Sequence, residues 1–432
     1  MAENDENALN NGAEKLKKKK APAKEGTMLN GKKNAKKLNL AALKKRFSGA
    51  KVFSSGRQVV AAMVLAAGLL LAPQAAKADI KYQYEIYPGQ EYLNPKPSEA
   101  DIANLNAALD ILEFSPAFRS HPIHYYLGDN NPNRLVIMFD NKSLNDHGSE
   151  AFASGNVIRV YSGRDMAYYA EYIAHETIHA AFAERYGNLA SASYLTPYDY
   201  SLITILEEAL ANTWQQYMRT MPELSHTRDR TIFMQDLYIT NKNEAFDCIE
   251  NNLRQNRPNQ SDQWYQEVAL RNFFEYFIST DITYLGDFIP EDLQKHYGSG
   301  NRFLIPEYQF MQQEPYRTEL IKDVWEIVKM GMPVSLEQGK NTLSYFEQKF
   351  NQGIAYAKDN QFSNNSFASI DYWVNQTDYR TAASRRMSMN PNETFQYLPD
   401  AEMLKLYSVL REHGLNIPAA AVSYSNTASF ER

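Results

Sequence analysis

The chain has 432 residues, 44% of them hydrophobic, which is enough to bury a sizeable core in one large domain or two packed lobes. The net charge of −6 conceals two halves: residues 1–78 carry 16 Lys/Arg against 5 Asp/Glu, or +11, and the 29 basic and 46 acidic residues that remain leave the rest near −17. An acidic body excludes nucleic acid as the main partner, because phosphate recognition needs a basic surface, and a single cysteine, Cys248, excludes both an intramolecular disulfide and a cysteine-based zinc knuckle.

Residues 1–58 hold Lys17–Lys20 and further lysine pairs, with little apolar content, and are expected to be disordered. Residues 59–72 form an apolar run of about 14 residues, short of the ~20 that span a bilayer. Ala76-Lys77-Ala78 follows, a small-x-small cleavage pattern. Basic stretch, apolar stretch and cleavage site together read as a bacterial signal peptide over residues 1–78, cut after Ala78. The expected destination is the periplasm or the exterior. The alternative is an anchor at residues 59–72, which makes the N-terminal segment the one contact with a membrane.

Residues 80–97 are expected to be irregular. Ser98 and Asp101 form a capping box ahead of a helix of about 15 residues, with Ile102, Leu105, Ala108, Leu109 and Leu112 at helical spacing. Three strands are expected at 124–127, 135–139 and 157–161, with residues 141–148 as a loop between the last two. Ser162-x-x-Asp165 opens a helix that runs to Tyr186 and stops at Gly187. A second helix is expected from about Tyr200 to Met218. Beyond residue 225 the signals are helical, near 227–238, 243–255, 261–279, 317–331, 341–358 and 399–413. Cys248 falls in one of these, where a lone cysteine reads as a small buried hydrophobe. The fold class is α+β: a small α/β core over residues 79–222 with a short sheet, followed by a mostly helical region over residues 223–432.

The helix ending at Tyr186 carries His175-Glu176-Thr177-Ile178-His179. Residues i and i+4 share a helix face one turn apart, so both imidazoles can reach one ion. Glu176 projects beside such an ion and is placed to act as general base. A catalytic zinc needs a third protein ligand and an open position. Glu208, on the second helix, is the candidate. Asn212, four residues on, is placed to accept a hydrogen bond from a ligand histidine. Glu207 is the rival ligand, but adjacent side chains point about 100° apart on a helix, so only one of the two can face the ion.

The stretch Tyr172–Ala181 resembles the zincin metallopeptidases, and Glu208-Ala209-Leu210-Ala211-Asn212 resembles the third-ligand segment of their gluzincin branch, which includes thermolysin-like enzymes. This chain has Asn where that segment usually has Asp. No His-x-x-Gly-x-x-His extension is present, which separates it from the metzincin branch. The resemblance implies one Zn2+ held by His175, His179 and Glu208. It implies a peptide or protein substrate cleaved by a zinc-bound water that Glu176 activates. It also implies that the strand before the motif helix, 157–161, is an edge that receives extended substrate. The second functional reading is an envelope binding or structural protein on a zincin-like scaffold without catalytic activity.

Overall fold

The computed structural model describes residues 82–114 except 89, 121, 135–187, 195–221, 224, 237–279, 293, 313–359, 366–375 and 401–417. The N-terminal segment, the strand expected at 124–127 and the helix expected at 227–238, apart from its last two residues, lie outside them.

Residues Ala76–Arg432 cluster as one compact unit, a mixed α+β fold that is mostly helical with one four-stranded sheet. Strand β1, Tyr82–Tyr84, lies in the segment expected to be irregular. Its three residues are exposed on both faces, so no alternation announced it. Helix α1, Glu99–Phe114, follows the expected capping box. Ser98 N donates to Asp101 Oδ2 at 2.8 Å, and Asp101 N donates back to Ser98 Oγ at 3.1 Å. Leu105, Ala108, Leu109 and Leu112 are buried, as their spacing requires.

Strand β2, Val136–Phe139, leads into a short helix, α2, Asn141–His147, where a loop was expected. Asp140 accepts from Ser143 N at 3.1 Å, and Gly148 closes the helix at φ 65°, a conformation suited to glycine. Only Leu144 of α2 is buried, so the helix left no periodic signal. Strands β3, Ala151–Ser154, and β4, Val157–Val160, form an antiparallel hairpin. Gly155 takes φ 59° at the first position of its two-residue loop, where a type II′ turn needs glycine.

The sheet order is β1-β2-β4-β3, with β1–β2 and β2–β4 parallel. Strand β4 is therefore interior, not the edge it was expected to be. Among the described residues the edge beside it is β3.

Helix α3, Met166–Tyr186, carries the motif. Asp165 stands outside it as the N-cap, accepting from Tyr168 N at 2.8 Å, so the helix starts after the expected Ser-x-x-Asp box instead of within it. It ends as expected at Gly187, whose N–H reaches Ala183 O. Asp101 Oδ1 accepts from Gly163 N at 2.5 Å and from Tyr169 OH at 3.2 Å, which ties α1 to the entrance of α3. Burial alone would raise the Asp101 pKa, but the bonds from Ser98, Gly163 and Tyr169 hold it below the usual range.

Helix α4, Pro197–Thr220, begins three residues before the expected start. Thr196 caps it and Pro197 fills the first turn, where a missing N–H costs nothing. Helix α3 packs along α4 and is also covered by α1, β3 and β4. Helices with buried residues on every side lie inside a fold, and α3 and α4 are its centre.

Six more helices follow among the described residues: α5, Leu237–Asn256; α6, Asp262–Ser279; α7, Tyr316–Gly331; α8, Leu343–Asp359; α9, Ser366–Asn375; and α10, Ala401–Glu412. Helix α9 was not expected. It is ten residues long and buries Phe367 and Ile370. Helices α6, α7 and α9 pack on α4, and α10 packs on α3 and α7. One hydrophobic cluster runs from Leu105 to Leu410, so the core is continuous across residue 222. Trp214, fully buried on α4, donates its indole N–H to Gly331 O at 2.6 Å. Cys248, expected to be buried, is exposed on α5. Among the described residues no helix is long and apolar enough to cross a membrane.

Candidate metal centre

The pairing of α3 with α4 decides which side chains meet. His175 and His179, one turn apart on α3, bring their Nε2 atoms to 3.1 Å. Glu208 reaches across from α4, with Oε2 at 3.9 Å from His175 Nε2 and Oε1 at 3.5 Å from His179 Nε2. One donor atom from each of the three residues lies within 4.8 Å of the others. Two donors about 2.0–2.1 Å from a tetrahedral zinc stand about 3.3–3.4 Å apart. The imidazole nitrogens at 3.1 Å stand near that value, and the two Glu208 oxygens approach them separately, Oε1 at 3.5 Å and Oε2 at 3.9 Å, so two imidazoles and one carboxylate could share a single ion. The sequence-derived set His175, His179 and Glu208 is thus brought together in full.

Burial sharpens the chemistry. His175, Glu176 and Glu208 are buried, while His179 is half-buried and keeps contact with solvent. A carboxylate in such surroundings binds a cation more strongly than one in water.

Glu207 is not idle. Its Oε1 lies 2.7 Å from His179 Nδ1. The two nitrogens of one imidazole therefore face two different carboxylates, Nε2 towards Glu208 and Nδ1 towards Glu207. An ionised carboxylate only accepts, so the Nδ1 proton is donated to Glu207 and Nε2 is left to bind a metal. Sequence reasoning treated Glu207 only as a rival ligand. Its position one residue before Glu208 was the available signal, but whether a neighbour of a ligand touches the same histidine depends on the crossing of two helices.

Asn212 was expected to serve a ligand histidine. Its Nδ2 donates to the Glu208 backbone carbonyl at 2.7 Å and to Glu208 Oε2 at 3.2 Å. Its amide nitrogen thus steadies the Glu208 carboxylate, and the carboxylate that faces the far nitrogen of His179 is Glu207.

The cluster's charges act on one another. Burial pulls the His179 pKa down, but Glu208, Glu207 and Glu176 together outweigh it and push the ring up to about 10. Burial pushes Glu207 up, against the pull of His179. Glu176 is buried one residue after His175 and is not part of the three-residue group.

His121, which has no ligand spacing in the sequence, is a core residue. Its Nε2 bonds Ala174 O at 3.0 Å and its ring packs edge-on against Trp214. No family model, no curated protein and no solved structure matches the chain.

Proposed function

We propose that this protein is an exported zinc-dependent peptidase of the gluzincin kind. One observation carries the reading: the donor atoms of His175, His179 and Glu208, chosen from two helices, lie within 4.8 Å of one another. His175, His179 and Glu208 would hold the zinc, which when bound would polarise the scissile carbonyl and acidify the attacking water. Glu176, buried beside the ligands, takes the proton from that water at its carboxylate and returns it to the departing amine. The Glu207 carboxylate, 2.7 Å from His179 Nδ1, would keep a proton on that nitrogen and leave Nε2 to bind the metal.

Substrate placement has support in the sheet. Among the described residues strand β3 is an edge; it is antiparallel to its neighbour and packs against α3. An edge strand offers open N–H and C=O groups to which an extended peptide adds as a further strand. Export follows from the reading of residues 1–78 as a leader.

The test is metal analysis of the purified chain together with cleavage of a casein-derived peptide. The expected result is one zinc per chain and chelator-sensitive cleavage, lost in Glu176→Gln while the zinc stays. A chain that binds no divalent metal would sink the reading. A chain that keeps zinc but never cleaves peptide would favour a scaffold without activity.

A further inference from the structure

The ligand segment of this chain departs from its resemblance at Asn212, where a carboxylate is usual, and has a second carboxylate, Glu207, immediately before the ligand Glu208. We propose that Glu207 is the positioning residue of the centre, supplying to His179 the charge that position 212 does not supply. The proposal rests on the metal-site reading above.

Three observations converge. The first is distance: Glu207 Oε1 stands 2.7 Å from His179 Nδ1, the length of a charge-assisted hydrogen bond. The second is the environment. Glu207 and His179 are largely shielded, with side-chain exposures of 15% and 21%, so water does not take over the bond. The third is the occupation of Asn212, whose amide nitrogen is directed to Glu208. A carboxylate at 212 would stand against the Glu208 carboxylate, where the present amide donates to it at 3.2 Å. The two positions have therefore divided the work: 207 holds a histidine, 212 holds the acid ligand.

A carboxylate on the far nitrogen of a ligand imidazole does two things. It fixes the ring's rotation and tautomer, and it makes the coordinating nitrogen a better donor. Glu207 accordingly sets how tightly the metal is held without touching it. Its loss differs in kind from the loss of Glu208, which removes a donor atom.

The test is Zn2+ affinity of the purified full chain, read by competition with a chromophoric chelator, for wild type, Glu207→Ala, Glu207→Gln, Glu208→Ala and Asn212→Asp. Glu207→Ala is expected to weaken zinc binding about 10- to 100-fold. Glu207→Gln, which keeps an acceptor but no charge, is expected to fall between it and wild type, and it also covers the case in which the alanine variant does not fold. Glu208→Ala is expected to lose more affinity than either. Asn212→Asp in the Glu207→Gln background is expected to restore none. The proposal is overturned if Glu207→Gln, and Glu207→Ala where it folds, bind zinc as tightly as wild type, if Glu208→Ala keeps zinc while the Glu207 variants lose it, or if Asn212→Asp rescues Glu207→Gln. Failure of the wild type itself to bind zinc overturns the metal-site reading instead, and this proposal with it.

Discussion

Arg185, in the last turn of α3, and Asp323, on α7, form a two-point ion pair, with Nε donating to Oδ2 at 2.7 Å and Nη2 to Oδ1 at 2.8 Å. The same carboxylate accepts from Tyr186 OH at 2.8 Å and meets His413 Nε2 at 3.0 Å. Burial would raise the Asp323 pKa, but Arg185, His413 and Tyr186 hold it below the usual range. Asp323→Ala is expected to cost about 2–3 kcal/mol in a urea titration. That is less than for a fully buried pair, because Arg185 keeps some contact with water and with Glu412. A loss under about 1 kcal/mol would show the pair to be incidental.

His179 gives a pH prediction whose sign is fixed. Its pKa is raised from 6.5 to about 10 in the metal-free protein. The resulting stabilisation is complete below the ordinary value and is lost as pH rises through about 10. A metal needs the ring neutral at Nε2, so proton and ion compete. Binding near pH 7 is expected to release a proton and to tighten by about tenfold per pH unit as pH climbs towards 10. Calorimetry in two buffers of different ionisation heat measures the release. An identical apparent heat in both buffers counts against it.

Position 353 on α8 has no room for a side chain. A Cβ there would stand 2.7 Å from Ser279 O and 2.9 Å from the Phe367 ring. The backbone oxygen at the end of α6 cannot swing aside. Gly353→Ala is expected to destabilise by about 1–3 kcal/mol in thermal or chemical melts, with zinc stoichiometry unchanged. A variant as stable as wild type would mean that α6 and α8 separate freely.

Strand β3 offers a direct check on substrate placement. Ser154 pairs with Val157 across the two-residue loop, so the next residue, Ala153, turns its N–H and C=O outward. Ala153→Pro removes that outward N–H and leaves the hairpin's own bonds in place. The loss of one backbone bond to a peptide is expected to lower kcat/KM about 2- to 10-fold, mainly through KM. An unchanged KM places the substrate elsewhere.

What could be read in the sequence was local. The capping box of α1, the extent of α3 to Gly187 and the two turns bearing His175, His179 and Glu208 depend on spacing within one helix, and spacing is visible. What could not be read depended on partners far along the chain. Strand β1 is recruited by pairing with Phe139 and its neighbours while showing no buried face of its own. Strand β3, Ala-Phe-Ala-Ser, has little strand propensity and exists because β4 pairs with it. Helix α2 is set by its two caps, Asp140 and Gly148, more than by a face. Glu207 and Asn212 both stand out in the sequence, but which side chains they touch is set by how α3 and α4 pack.

The last turn of α3 is fastened by residues made late. Besides Asp323 and His413, Lys405 on α10 donates to Ala183 O at 2.8 Å, a carbonyl that also accepts from Gly187 N. Every residue of the proposed metal centre has been synthesised by residue 208, yet the clasp on the motif helix closes only when residues 405–413 arrive. A chain interrupted between those points would hold a complete set of ligands on a helix with a loose end. The geometry of the proposed centre therefore waits on residues made long after its own.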